Sequence, residues 1–150
     1  MPGVIRTRVG YTGGTRPNPT YNTLGDHTEA IQIDFDPSVL TYKELLETFW
    51  SAHDPTSGSV SKQYKAAVFY HDEEQLKQAK DSLKKEASKR SGEIRTEIIE
   101  FKGFTVAEDY HQKFRLRSEG LLMDELVSIY PDSSDFMNST AVARINGYLG

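Results

Sequence analysis

The sequence predicts an α+β protein in which a mainly antiparallel sheet packs against helices. Three observations predict it. Residues 4–11 and 29–35 alternate apolar and polar side chains with the two-residue period of strands. Helical patterns open behind two capping residues, Thr41 and Asp72. Short strand-like runs, 66–70 and 93–100, lie between and after those helices. The 150 residues, 37% hydrophobic and 27% charged, suit one globular domain with its own core.

In the first strand Ile5, Thr7 and Val9 share one face, with Arg6 and Arg8 on the other. In the second, Ile31, Ile33 and Phe35 are expected to point inward and Gln32 and Asp34 outward. Thr41 with Glu44 three residues on forms a capping box, and the helix it opens carries Leu45, Leu46, Phe49 and Trp50 on its apolar face. Pro55 ends that helix. Asp54 before it is suited to ordering the following loop by accepting backbone hydrogen bonds. The run 66–70 reads as a buried strand. Asp72 and Gln75 cap a second helix with a thin stripe of Leu76, Ala79, Leu83 and Ala87 under many charges, and Gly92 is a plausible C-cap. Residues 104–114 read as a loop entering a short helix. Two more helices, 119–130 and 139–149, are split by residues 131–135, and Leu121, Leu122, Leu126 and Ile129 are expected to form a docking face.

Residues 9–29 join the first two strands by a loop too long for a simple connector. Gly10, Gly13, Gly14 and Gly25 allow unusual backbone angles, Pro17 and Pro19 stiffen the path, and long ordered loops of this kind are usually functional. The loop gathers Tyr11, Tyr21, Asp26, His27 and Glu29 in one neighbourhood. A net charge of −4 argues against a nucleic-acid binder, and no apolar run reaches the length of a membrane span. The opening Met1-Pro2-Gly3-Val4 shows no targeting pattern, so a cytoplasmic, reducing setting is expected. There is no cysteine, which removes disulfides, thiolate metal sites and thiol nucleophiles. His27, His53, His71 and His111 stand at unrelated spacings, so no metal site is expected.

Gly10-Tyr11-Thr12-Gly13-Gly14, Asn18-Pro19-Thr20-Tyr21 and His27-Thr28-Glu29-Ala30 occur in that order. They are followed by His53-Asp54-Pro55-Thr56, Gln63-Tyr64, Thr96-Glu97-Ile98 and Ala107-Glu108-Asp109-Tyr110-His111-Gln112. Together these motifs resemble the peptide methionine sulfoxide reductase A family over residues 3–114. The resemblance implies a ferredoxin-like two-layer sandwich. It also implies a cysteine nucleophile, in a Gly-Cys-Phe-Trp motif that ends a strand, begins a helix and precedes a Pro-Gly-Val segment. This chain opens at Pro2-Gly3-Val4, so the family's first strand and helix are missing from residues 1–150. The expected organisation is one domain, with a family core over 1–114 and a helical extension over 115–150.

Reducing a sulfoxide requires a thiolate to attack sulfur, an acid to protonate the departing oxygen and an apolar cage for the methyl group. By resemblance Glu29 is the acid, with burial expected to keep it protonated. Tyr21 and Tyr64 are the hydroxyl donors to the same oxygen, the device of an oxyanion hole. Tyr11, Asp26 and His27 are the candidate substrate-binding neighbours, and His111 is expected to fix the C-terminal segment. Residues 57–62 are shorter than the family pattern and hold no acid, and the stretch between Tyr21 and Glu29 is shortened too; Asp26 is the candidate replacement for the family's supporting aspartate. The implied substrate is methionine sulfoxide in peptides or proteins. The implied partner is an external thiol of thioredoxin, glutaredoxin or glutathione type, with no bound cofactor and a monomeric state. Without a cysteine the chain itself is expected to be inactive. The alternative is a non-enzymatic remnant that binds methionine sulfoxide or a protein partner.

Overall fold

The computed structural model describes residues 1–59 and 61–150. Residue 60, inside the shortened 57–62 segment, lies outside the described residues. The first strand, β1 (Val4–Thr12), pairs antiparallel with β2 (Thr28–Phe35), placing Tyr11 opposite Glu29 and Val9 opposite Ile31. Arg6 Nε and Arg8 Nη2 both donate to Asp34 Oδ2 across this pair, at 2.5 and 2.9 Å. These groups are partly exposed, so the ion pairs set register more than they add stability.

Helix α1 (Tyr42–Ser51) starts at the expected capping box: Thr41 Oγ1 accepts from the Glu44 amide while Glu44 accepts from the Thr41 amide. It is followed by β3 (Ala67–Tyr70), α2 (Glu73–Ala87) and β4 (Glu97–Glu100), with β3 and β4 paired in parallel. Leu46 and Trp50 of α1, Val68 of β3 and Ala79 of α2 form one buried cluster, and the Trp50 indole donates to Ser82 Oγ at 3.0 Å. Asp54 accepts from Thr56 N, Thr56 Oγ1 and Ser57 Oγ, ordering the loop after α1 as its sequence position indicated.

Several expectations are corrected. Residues 104–114 contain a strand, β5 (Phe104–Val106), which pairs with the end of β1 and completes a sheet of order β2-β1-β5. The strand expected over 93–100 is shorter, because residues 93–96 have no ladder partner in the described fold. Helix α2 ends at Ser88, whose amide bonds back to Lys84, so Gly92 is not its C-cap. Gln75 accepts from the His71 amide, closing that helix start one residue earlier than a capping box would. Val68 alone is buried in β3. Ile31 is 59% exposed, since no helix covers that part of β2.

The C-terminal region holds α3 (Phe114–Arg117), α4 (Gly120–Ile129), α5 (Ser133–Asn138) and α6 (Thr140–Tyr148). The stretch read as a linker is therefore partly the helix α5, capped by Asp132, which accepts from the amides of Ser134 and Asp135. Leu116, Leu126, Phe136 and Val142 make its core. The expected docking face is not used: only Leu126 is buried, while Leu121 is 86% exposed. No helix among the described residues is long and apolar enough to cross a membrane.

Gln112 and Lys113 cover the part of β1 that β5 does not reach. Gln112 Oε1 accepts from the Val9 amide at 3.0 Å and Nε2 donates to the Val9 carbonyl at 2.9 Å, so one side chain does the work of a strand residue. Lys113, left-handed at φ 55°, donates its buried amine to the Thr7 carbonyl and to Thr7 Oγ1. Burial first, then the charge of Arg8, lowers its pKa from 10.5 to about 8. The unfolded chain therefore binds more protons than the folded one between those two values, and this group makes stability rise with pH across that window. Denaturant melts from pH 7.5 upward, below the range where tyrosines ionise, are expected to show this rise in the native protein and a flatter profile in Lys113→Met. Equal slopes would contradict the assignment.

Candidate functional site

The site is built on the loop between β1 and β2. Gly13 takes φ +77° against the Phe69 ring. A Cβ on Gly14 would sit 2.6 Å from the His27 ring, so only glycine fits there. His27 Nδ1 accepts from the Gly14 amide at 3.3 Å, which assigns the ring proton to Nε2 and makes it the donor to the Arg16 carbonyl at 2.8 Å. Asp26 accepts from Thr15 N at 2.8 Å, Thr15 Oγ1 at 2.9 Å and Arg16 N at 3.3 Å. These bonds, led by the Thr15 amide, hold its pKa down at about 2. Both side chains are thus spent on stitching the loop, and the structure does not bring them to Glu29.

Tyr11, Tyr21, Tyr64 and Glu29 are brought together. Tyr21 opens a 3₁₀ turn (Tyr21–Thr23), and Tyr64 closes another (Lys62–Tyr64). The neighbouring Tyr21 hydroxyl first, then burial and the negative charge of Glu29, pushes the Tyr64 hydroxyl above its ordinary value and keeps its proton on. Glu29 Oε1 accepts from Gln63 Nε2 at 2.5 Å, which joins the turn before β3 to the start of β2. The burial expected of Glu29 is not found: the residue is exposed, because at that end the outer edge of β2 has no strand partner among the described residues and is met by the short turn that carries Gln63.

Behind this group lies a residue to which sequence reasoning assigned no role. Glu108 Oε2 accepts from the Tyr11 hydroxyl at 2.6 Å, and Oε1 from the Tyr21 amide at 3.1 Å. The Tyr11 bond, ahead of the opposing effect of burial, holds the Glu108 carboxyl below its ordinary value. Burial and that same bond raise Tyr11 well above its own. His111 packs against Tyr21 and Tyr110, with ring centroids 4.8 and 4.2 Å away, and its buried Nε2 has no partner among the described residues. The signal for Glu108 and His111 was their place in one short motif, and for Gln63 its adjacency to Tyr64. A recess of about 270 Å³ opens beside Glu29, walled by Val9, Ile31, Ala107, His111 and Phe114. Among the described residues no group of three or more His, Cys, Asp or Glu is placed to hold a metal.

The arrangement offers two hydroxyl donors and a carboxyl on an exposed rim next to an apolar recess, which suits a small polar oxygen carried on an apolar group. The peptide methionine sulfoxide reductase family model matches residues 1–141. A peptide methionine sulfoxide reductase of Drosophila melanogaster is 43% identical over 150 residues, covering 98% of this chain and 59% of that protein. The MsrA protein of Methanococcoides burtonii is 47% identical over 125 residues, covering 75% of this chain and 80% of that one. Among solved structures, methionine sulfoxide reductase A of Corynebacterium diphtheriae superposes with a TM-score of 0.67 at 31% identity, covering 81% of this chain and 66% of that one. The chain belongs to the peptide methionine sulfoxide reductase family. It spans about six tenths of the length of the relatives it matches end to end, 59% and 60% for the fly and a rice protein.

If Glu108 fixes the loop, Glu108→Gln should lower stability by about 1–2 kcal/mol, the scale of losing charge-assisted bonds at a half-buried site. The Tyr21 amide should also lose its protection from hydrogen exchange. Unchanged exchange at Tyr21 would contradict the tie. Acid should act on the loop separately: the Asp26 bonds stabilise it above pH 3.8 and are lost as pH falls towards about 2, so the Thr15 amide resonance should move in that window and stay fixed in Asp26→Asn.

Proposed function

We propose that this chain carries the oxygen-binding part of a peptide methionine sulfoxide reductase. The observation that supports the reading is the meeting of the Tyr21 and Tyr64 hydroxyls with the Glu29 carboxyl on one rim. In this reading the two hydroxyls donate to the S=O oxygen, and the Glu29 carboxyl passes a proton to that oxygen as it leaves. The recess of Val9, Ile31, Ala107 and Phe114 takes the apolar side of the methionine sulfoxide side chain, presented by a peptide or protein. Asp26 and His27 serve by holding the loop, and Tyr11 by anchoring Glu108.

The full reaction reduces the sulfoxide to a thioether and water while two thiols are oxidised to a disulfide. Residues 1–150 contain no cysteine, so both thiols come from elsewhere. An external reductant of thioredoxin, glutaredoxin or glutathione type, in a reducing compartment such as the cytoplasm, fits that need. The chain acts as a monomer, with residues 1–114 holding the site and 115–150 bracing it.

Turnover of a methionine sulfoxide ester with a strong dithiol should not exceed background for this chain alone. Titration calorimetry should show a sulfoxide peptide binding more tightly than its thioether. Tyr21→Phe and Tyr64→Phe should each weaken the sulfoxide about 2- to 10-fold, the worth of one hydrogen bond. Equal affinity for sulfoxide and thioether would overturn the reading.

A further inference from the structure

Two motifs of the sequence, His53-Asp54-Pro55-Thr56 and Thr96-Glu97-Ile98, take no part in the rim, yet they lie against each other. The Arg95 amide donates to the Pro55 carbonyl at 2.8 Å, and the Glu97 amide donates to the Ala66 carbonyl at 3.0 Å. Amides two residues apart thus hold both ends of the stretch 55–66 and close it into a loop. Between them Thr96 is 6% exposed, and its Oγ1 lies 3.2 Å from His53 Nε2. His53 Nδ1 faces the Phe49 carbonyl at 2.8 Å. A carbonyl only accepts, so Nδ1 carries the proton, and in the neutral ring Nε2 accepts from the Thr96 hydroxyl. Two ion pairs flank this bond, Lys65 Nζ to Glu97 Oε2 at 3.0 Å and Arg90 Nη1 to Asp54 Oδ1 at 3.8 Å. The Arg95 guanidinium lies against the loop itself, since a Cβ on Gly58 would stand 2.5 Å from its Nη1.

The loop closed in this way carries Gln63, which meets Glu29, and Tyr64, which meets Tyr21. Tyr64 is 55% exposed, so its place on the rim comes from how its backbone is held more than from packing around the ring. We infer, resting on the oxygen-binding reading of that rim, that residues 95–97 are its positioning element: their clasp on His53, Pro55 and Ala66 sets where Gln63 and Tyr64 stand, and Thr96 is the central positioning residue. Thr96 touches no part of the rim. Loss of its hydroxyl leaves His53 Nε2 without its donor inside the clasp, and the segment shifts to relieve it. The shift reaches Tyr64 through the next amide along, that of Glu97, which holds Ala66 two residues beyond the ring.

The test is nuclear magnetic resonance on the full chain. Thr96→Val keeps nearly the same volume and removes the hydroxyl, while Thr96→Ser keeps the hydroxyl and loses a methyl group. The Gln63 side-chain amide and Tyr64 ring resonances are expected to move in Thr96→Val and hold in Thr96→Ser, the reverse of what packing alone would give. Glu97→Gln, at an exposed position, releases Lys65 and is expected to move the same resonances. By calorimetry with N-acetyl-methionine sulfoxide amide and its thioether, Thr96→Val is expected to lower the preference for the sulfoxide about threefold and to leave the thioether unchanged. In a Tyr64→Phe background the same substitution is expected to cost nothing further. Resonances unmoved in Thr96→Val, an equal shift in Thr96→Ser, or an additive loss in the double variant would overturn the inference. A native chain with no preference for the sulfoxide would instead defeat the oxygen-binding reading, and the Gln63 and Tyr64 resonances would still decide the clasp.

Discussion

The site depends on one carboxylate. Glu108 ties the hydroxyl of Tyr11, in the central strand, to the backbone amide of Tyr21, in the loop. Without that bridge nothing else among the described bonds fixes the Tyr21 backbone to the sheet, and the ring that faces Tyr64 would keep its packing against His111 as its support. Burial of Tyr11 beneath it matters for the same reason: a phenol driven well above its ordinary value keeps its proton and remains a donor to Glu108 at any physiological pH.

Around that bridge the C-terminal segment acts as a substitute strand. β5 pairs with only three positions at the end of β1, and the next groups along that edge are met by Gln112 and Lys113 side chains. Two consequences follow. The helices α3 to α6 are anchored to the sheet through polar bonds while keeping a core of their own. The remaining edge of the sheet, on β2, has no strand partner among the described residues, and Glu29 and Ile31 there are exposed. An open strand edge is a liability that folds normally cover. Here it adjoins the rim that carries Tyr21, Tyr64 and Glu29.

Local chemistry was legible in the sequence wherever it was self-contained. The capping box at Thr41 and the Asp54 turn need only neighbours in sequence, and both stand where their residues predict. The strands β1 and β2 announce themselves by period. Features that depend on distant partners were not readable. Three residues of β5 are too few to carry a period, and their pairing with Thr12 is decided by the sheet. Ile31 was assigned inward because alternation gives a face, not what covers that face. In the site, Tyr21 and Tyr64 were legible through motif resemblance, while Glu108 was hidden because an acid beside Asp109 and Tyr110 reads as one more solvent-facing charge until Tyr11 is brought against it. Asp26 and His27 were legible as loop residues in the right neighbourhood, but their side chains turn into the loop, which only the amides of Gly14, Thr15 and Arg16 decide.

The central claim is that Tyr21 and Tyr64 grip one oxygen beside an apolar recess. The most direct measurement is the pattern of intermolecular nuclear Overhauser effects from the S-methyl group of N-acetyl-methionine sulfoxide amide at saturation. The account predicts contacts from that methyl group to Ile31 and Phe114, together with line shifts of both tyrosine rings. Contacts only to residues of α1 and α2 around Trp50, or no contacts at saturation, would contradict it.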